Sequence, residues 1–98
     1  MMFSYKIHKY EDDIILAVAD KSIIGKTFET DDIEFKVSQE FYHDKTCGRD
    51  EIKKLIKSAT IINAVGKDIV LLMIEEKIVN AKNVMKIGET LHAQVVNV

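Results

Sequence analysis

The hydrophobic period of this chain changes near Asp50, and that change limits the fold more than any other feature. Before it, apolar residues alternate with polar ones. Phe3, Tyr5 and Ile7 oppose Ser4, Lys6 and His8, and Ile33, Phe35 and Val37 oppose Glu34, Lys36 and Ser38. That period of two predicts half-buried strands. The more continuous apolar run Ile14 to Ala19 predicts a central strand, joined to the first through a turn at Glu11-Asp12-Asp13. Asp20 to Gly25 reads as a capped helical turn closed by glycine, and Phe41 and Tyr42 are expected to pack under the loop that follows them.

After Asp50 the spacing becomes helical. Ile52, Leu55, Ile56, Ala59 and Ile62 share one face, which predicts an amphipathic helix over 50–62. Asn63 to Gly66 breaks it. A second helix, over 67–77, carries Ile69, Val70, Leu72, Met73 and Ile74, so little polar face remains and a central buried position is expected. A loop over 80–83 leads to short strands over 84–87 and 91–98, either side of a turn at Gly88-Glu89. The predicted order is β-β-short α-β-α-α-β-β. The expected fold is α+β: one domain over 1–98, with a mainly antiparallel sheet and two helices packed on one face.

Composition narrows function by exclusion. The formal net charge of −2 argues against a sequence-blind nucleic-acid binder, and no DNA partner is expected. A single cysteine, Cys47, leaves no internal disulfide and no multi-cysteine zinc site, and fits a reducing, cytoplasmic setting. The first residues show no basic segment followed by an apolar one, so no secretion signal is expected. The run Ile69 to Ile74 is too short to span a bilayer, and no membrane partner is expected.

Several residues invite a chemical reading. Gly25-Lys26-Thr27 resembles the end of a phosphate loop, but Asp20 stands where that motif needs its first glycine, and the chain leads on toward a strand. A turn with Gly25 at positive φ, and Lys26 free to meet an anionic partner, fits better. His43, Asp44 and Cys47 lie close together but lack a second ligand cluster, so no metal is expected. Arg49, Lys53 and Lys57 recur every four residues along one helix flank, either as a solvated face or as a basic patch for phosphates or an acidic protein. Asn63 and Gly66 stand at the helix junction, where capping alone would explain them, or where Asn63 would read a ligand. His92 and Gln94 alternate onto one face of the last strand, opposite Leu91, Ala93 and Val95.

Taken together, Ile24-Gly25-Lys26-Thr27-Phe28, Phe35…Val37-Ser38…Phe41-Tyr42, Ala59-Thr60-Ile61…Asn63…Val65-Gly66 and Ile87-Gly88…His92-Ala93-Gln94 resemble the archaeal family "domain of unknown function 424" across nearly the whole chain. The resemblance implies a small archaeal protein of cytoplasmic location, with no activity to carry over. Gly25, Lys26, Thr27, Asn63, Gly66, His92 and Gln94 are the candidate binding residues. The family pattern has a Gly-Val-Pro-like run before His-Ala-Gln, whereas this chain has Glu89-Thr90-Leu91.

The leading expectation is a non-catalytic binding module or adaptor with a protein or RNA partner, associated with the translation machinery. No cofactor and no catalytic residue is expected. The alternative is a small-molecule-binding domain or enzyme with Asp20, Asn63 and His92 around one pocket and His92 as acid or base. The apolar second helix and the run Val95 to Val98 also suit a homodimer.

Overall fold

The computed structural model describes residues 1–97. Eight strands and three helices follow in the order β1 (Phe3–Tyr10), β2 (Asp13–Asp20), β3 (Thr27–Glu29), β4 (Glu34–Lys36), α1 (Gln39–Tyr42), β5 (Lys45–Cys47), α2 (Arg49–Ser58), β6 (Ile61–Val65), α3 (Lys67–Glu75), β7 (Met85–Ile87) and β8 (Thr90–Val96). Six strands form one sheet in the order β5-β1-β2-β6-β8-β7. All its neighbours are antiparallel except β2 and β6, which run parallel from Ile15↔Ile61 to Ala19↔Val65. The α+β class with a mainly antiparallel sheet is therefore as expected. Val98, the last residue of the expected C-terminal strand, lies outside the described residues.

One face of the sheet carries the main core. Phe3, Tyr5, Leu16, Val18, Ile62, Ala64 and Ala93 meet Ile52 and Ile56 of α2 and Ile69, Val70, Leu72 and Met73 of α3. The two long helices do cover one face. Each fully buried aliphatic side chain there contributes about 1.5–3 kcal/mol.

The predicted first helix ends early. It stops at Ser58, and Ile61–Val65 is a central strand, not a helix end followed by a break. The helical spacing misleads because Ile56, Ala59 and Ile62 all point into the same core. A helix residue followed by strand residues of the right parity gives the same burial. Thr60 decides the matter. Its amide donates to the Ile14 carbonyl at 2.9 Å, and its hydroxyl accepts from the Ile14 amide at 2.8 Å. The Thr60 carbonyl accepts from Asn97 N at 2.7 Å, so pairing on both sides begins here. Asn63 is consequently a strand residue and caps neither helix.

The third predicted strand lies outside the main sheet. β3 and β4 pair only with each other, in a two-stranded arm. Gly25, at φ +86°, starts the arm, with its amide on the Val37 carbonyl at 2.7 Å. The positive φ expected of Gly25 is present. Phe41 and Tyr42 sit in α1, a single turn whose Phe41 amide is capped by Ser38 Oγ at 3.1 Å. Arm and α1 together cover part of the other face, over Ala17, Ala19 and Val65, with Val37, Tyr42, Phe28 and Phe35 packed against them. Among the described residues no helix is long and apolar enough to cross a membrane.

Candidate functional site

Strand register fixes what the second face displays. Ser4, Ala19, Val65, His92 and Met85 lie in one cross-strand row, Lys6, Ala17, Asn63 and Gln94 in the next, and His8, Ile15, Ile61 and Val96 in a third. The arm and α1 sit over the first row and part of the second. Beyond His8, which meets Phe41 of α1, the third row is left open: Ile15 and Ile61 are half-buried, Val96 is 62% exposed, and Gln94 beside it is exposed.

A hydrogen-bond network marks the boundary between covered and open halves. Tyr42 Oη donates to Asn63 Oδ1 at 2.6 Å, and His92 Nε2 lies 3.2 Å from the same oxygen. With an acceptor there, His92 Nε2 carries the hydrogen. Phe35 of the arm packs edge-on to the His92 ring at 5.5 Å. Burial pushes the Tyr42 phenol up to about 12 and moves His92 below its ordinary value. At neutral pH the network holds a phenol, an amide and a neutral imidazole, all suited to hydrogen bonding. Asn63 Oδ1 takes both internal donors, while Asn63 Nδ2 has no hydrogen-bond partner among the described residues.

α1 is held to β1 by alternate side chains of that strand. Ser4 Oγ donates to the Tyr42 carbonyl at 3.2 Å and lies 2.6 Å from His43 Nδ1. Lys6 Nζ donates to the Glu40 carbonyl at 3.0 Å. His8 Nε2 donates to the Phe41 carbonyl at 2.9 Å while its ring stacks on Phe41 at 4.7 Å. The same face of β1 therefore positions Tyr42, which positions Asn63.

Asp20 does different work. It does not cap the turn at Lys21–Ile23 that follows it. Its carboxylate oxygens accept from the Asp68 and Ile69 amides, both at 2.9 Å, so β2 supplies the cap of α3. Gly66 makes room for this. It sits at φ +127°, and a Cβ there would stand 2.4 Å from Asp20 Cγ. Burial raises the Asp20 pKa, and the two amide bonds oppose that rise. Asp20 shares its sheet face with Leu16 and Val18, whereas Asn63 and His92 project from the other. The three residues therefore do not line one pocket, because the parity of β2 turns Asp20 away.

The remaining candidates separate in space. Lys26 and Thr27 are exposed at the start of the arm, and the strand after them offers no helix N-terminus to a phosphate. On α2, Arg49 Nη2 meets Glu75 Oε2 at 3.0 Å and Lys53 Nζ meets Glu76 Oε2 at 3.4 Å, while Lys57 is exposed. Two of the three stripe residues thus tie α2 to the end of α3. Burial, aided by Glu51, pushes the Cys47 thiol up to about 11. Among the described residues no three His, Cys, Asp or Glu side chains gather as a metal site. Tyr42 was missed as a site residue. Its signal was chemical: Phe41 and Tyr42 are expected to be packed, and a phenol needs a partner when buried.

A small α+β domain with a half-open sheet face and a fixed polar network is the class that fold and site define. The family described as "Protein of unknown function (DUF424)" matches residues 8–98, and the chain belongs to this family. No curated protein matches it. Among solved structures it is similar to an uncharacterized conserved protein from Methanopyrus kandleri, at 18% identity and a TM-score of 0.80, over 100% of this chain and 95% of that one. That likeness shows the fold.

Proposed function

We propose that the protein is a non-catalytic binding module that holds another macromolecule against the open half of its second sheet face, where Asn63 and Gln94 read the partner and His92 helps to fix the Asn63 amide. One observation carries this reading. The Asn63 amide is fixed by two donors on its oxygen, yet its Nδ2 is left for something else, beside the exposed Gln94 and the strip Ile15–Ile61–Val96. A half-buried amide locked in one orientation presents donors in a defined direction at little entropic cost.

A protein partner fits this surface best. The strip is apolar, the acidic turn Glu11-Asp12-Asp13 borders one end, and Arg49 and Lys53 already engage glutamates. RNA, including an assembly of the translation machinery, is the second reading. Tyr10, 67% exposed and on the same face of β1 as Lys6 and His8, offers a ring for stacking. A cytoplasmic setting goes with either partner.

Sedimentation of the tagged protein through a gradient of lysate from its source organism, with and without RNase, tests the proposal. A Gln94→Ala/Val96→Glu variant changes only exposed side chains and runs alongside. Movement into heavier fractions that resists RNase and is lost in the variant is the expected result. RNase-sensitive movement favours RNA. Co-migration of variant and parent in heavy fractions, or both remaining at the top, contradicts the reading.

A further inference from the structure

A crevice of about 290 Å³ opens at the end of the sheet where the parallel strands β2 and β6 finish, between the start of α3 and the arm. Carboxyl ends of adjacent parallel strands are a common place for ligands, because the chain diverges there and leaves a gap. Its lining includes Asp20, Lys26, Lys67, Asp68, Glu89 and Thr90. Thr90 is the telling member. It is 3% exposed, yet its hydroxyl has no hydrogen-bond partner among the described residues. No fully enclosed polar side-chain atom lacks a partner, so the Thr90 oxygen reaches the surface, where Thr90 borders this crevice and the adjoining one lined by Leu71 and Lys86. An accessible hydroxyl with no protein partner is left free to donate to or accept from a ligand.

The charges say what kind of ligand fits. The α3 amides that would attract a free anion already bind the Asp20 carboxylate. Besides that committed Asp20, the lining holds two lysines, Lys26 and Lys67, and two acidic residues, Asp68 and Glu89. A simple anion would meet the carboxylates, and a simple cation the lysines. A molecule with both charges can meet both kinds of residue. The volume lies at the small end for ligand sites.

We infer that this crevice is a second binding site, separate from the open sheet face, and that its ligand is a small zwitterion on the scale of a free amino acid. The ligand carboxylate lies toward Lys26, Lys67 and the Thr90 hydroxyl, and its ammonium toward Asp68 and Glu89.

The test is an amide NMR titration of the full chain with alanine, alaninamide and propionate at matched ionic strength. These three probes carry both charges, only the positive one, and only the negative one. Alanine is expected to shift the Lys67, Asp68 and Thr90 amides saturably, with Asn63 and Gln94 unmoved. Each single-charge probe should bind about tenfold more weakly, as should alanine to Thr90→Val, which keeps the shape and removes the hydroxyl. Lys67→Gln, at an exposed position, should weaken binding similarly and guards against a folding defect in Thr90→Val. Equal binding of propionate and alanine, unchanged binding by both variants, or no saturable shift would overturn the inference.

Discussion

On the α2/α3 side the sheet presents Phe3, Leu16, Val18, Ile62 and Ala93, and two helices of ten and nine residues bury them. On the other side a single helical turn and a short two-stranded arm cover Ala17, Ala19 and Val65, while Val96 and Gln94 stay exposed. The first face is held chiefly by apolar packing, with side-chain polar contacts such as Tyr5 to Glu51 and Arg49 to Glu75 beside it. The second holds its cover through a smaller apolar cluster together with side-chain hydrogen bonds, from Ser4, Lys6 and His8 to α1 carbonyls and from Tyr42 to Asn63. Apolar packing gives a chain of this size its stability. Directional polar contacts set which groups face outward. The closed face makes the fold, and the half-open face is where a partner can be read.

Substitutions should separate the two faces sharply. Leu72→Ala, in the fully buried wall of α3, should cost about 2–5 kcal/mol in chemical denaturation. Val96→Ala, on the open strip, should stay within about 0.5 kcal/mol. Similar losses at both positions would mean that the strip is packed in solution and unavailable.

Gly66→Ala should cost about 2–4 kcal/mol, from the strained φ and from displacing the Asp20 carboxylate off the α3 amides. Gly25→Ala should cost less, about 1 kcal/mol, because its Cβ would meet nothing within 4 Å and only the positive φ is strained. Asn63→Ala should cost about 1–3 kcal/mol by leaving the Tyr42 hydroxyl and His92 Nε2 without their shared acceptor. If Asn63→Ala were as stable as the parent, the network would not fix the amide, and the contrast between faces would lose its basis.

The smallest expected effect is on pH dependence. Burial lowers His92 from its ordinary 6.5, so the folded chain resists the proton that the unfolded chain accepts. Stability from this group is present above that value. It is lost as pH falls from there through the lower folded value. Asp20 slopes the other way: with its folded pKa raised above 3.8, stability rises as pH falls toward that value. Comparing parent with His92→Gln cancels the Asp20 contribution. The parent should lose more stability than the variant between about pH 7.5 and about pH 5.5, read from urea midpoints at each pH. Parallel losses would place His92 in contact with bulk solvent.

The sequence disclosed the two faces unequally. Strand parity in β1 and β8 was plain from alternation, and so was the buried α3 from its run of apolar residues. β6 was hidden because Ile56, Ala59 and Ile62 keep helical spacing across a change of structure, and Asn63 interrupts an otherwise apolar strand. His92 and Gln94 were recognisable as one face of a strand. Their meeting with Asn63 was not, since it depends on β6 lying beside β8. Asp20 was read as a local cap, but it caps a helix that starts 47 residues later, at Lys67. Such a contact depends on tertiary pairing and leaves no periodic trace. The Arg49 and Lys53 stripe had a visible spacing, but its partners Glu75 and Glu76 come from a different helix.

The most direct test of the recognition face is site-specific photo-crosslinking in lysate from the source organism. A photoreactive phenylalanine at Val96 would be compared with one at Lys57 on the helix side. The account predicts a discrete adduct at position 96 that Gln94→Ala weakens, and none of that mass at position 57. The same adducts at both positions, or none at position 96, would contradict it.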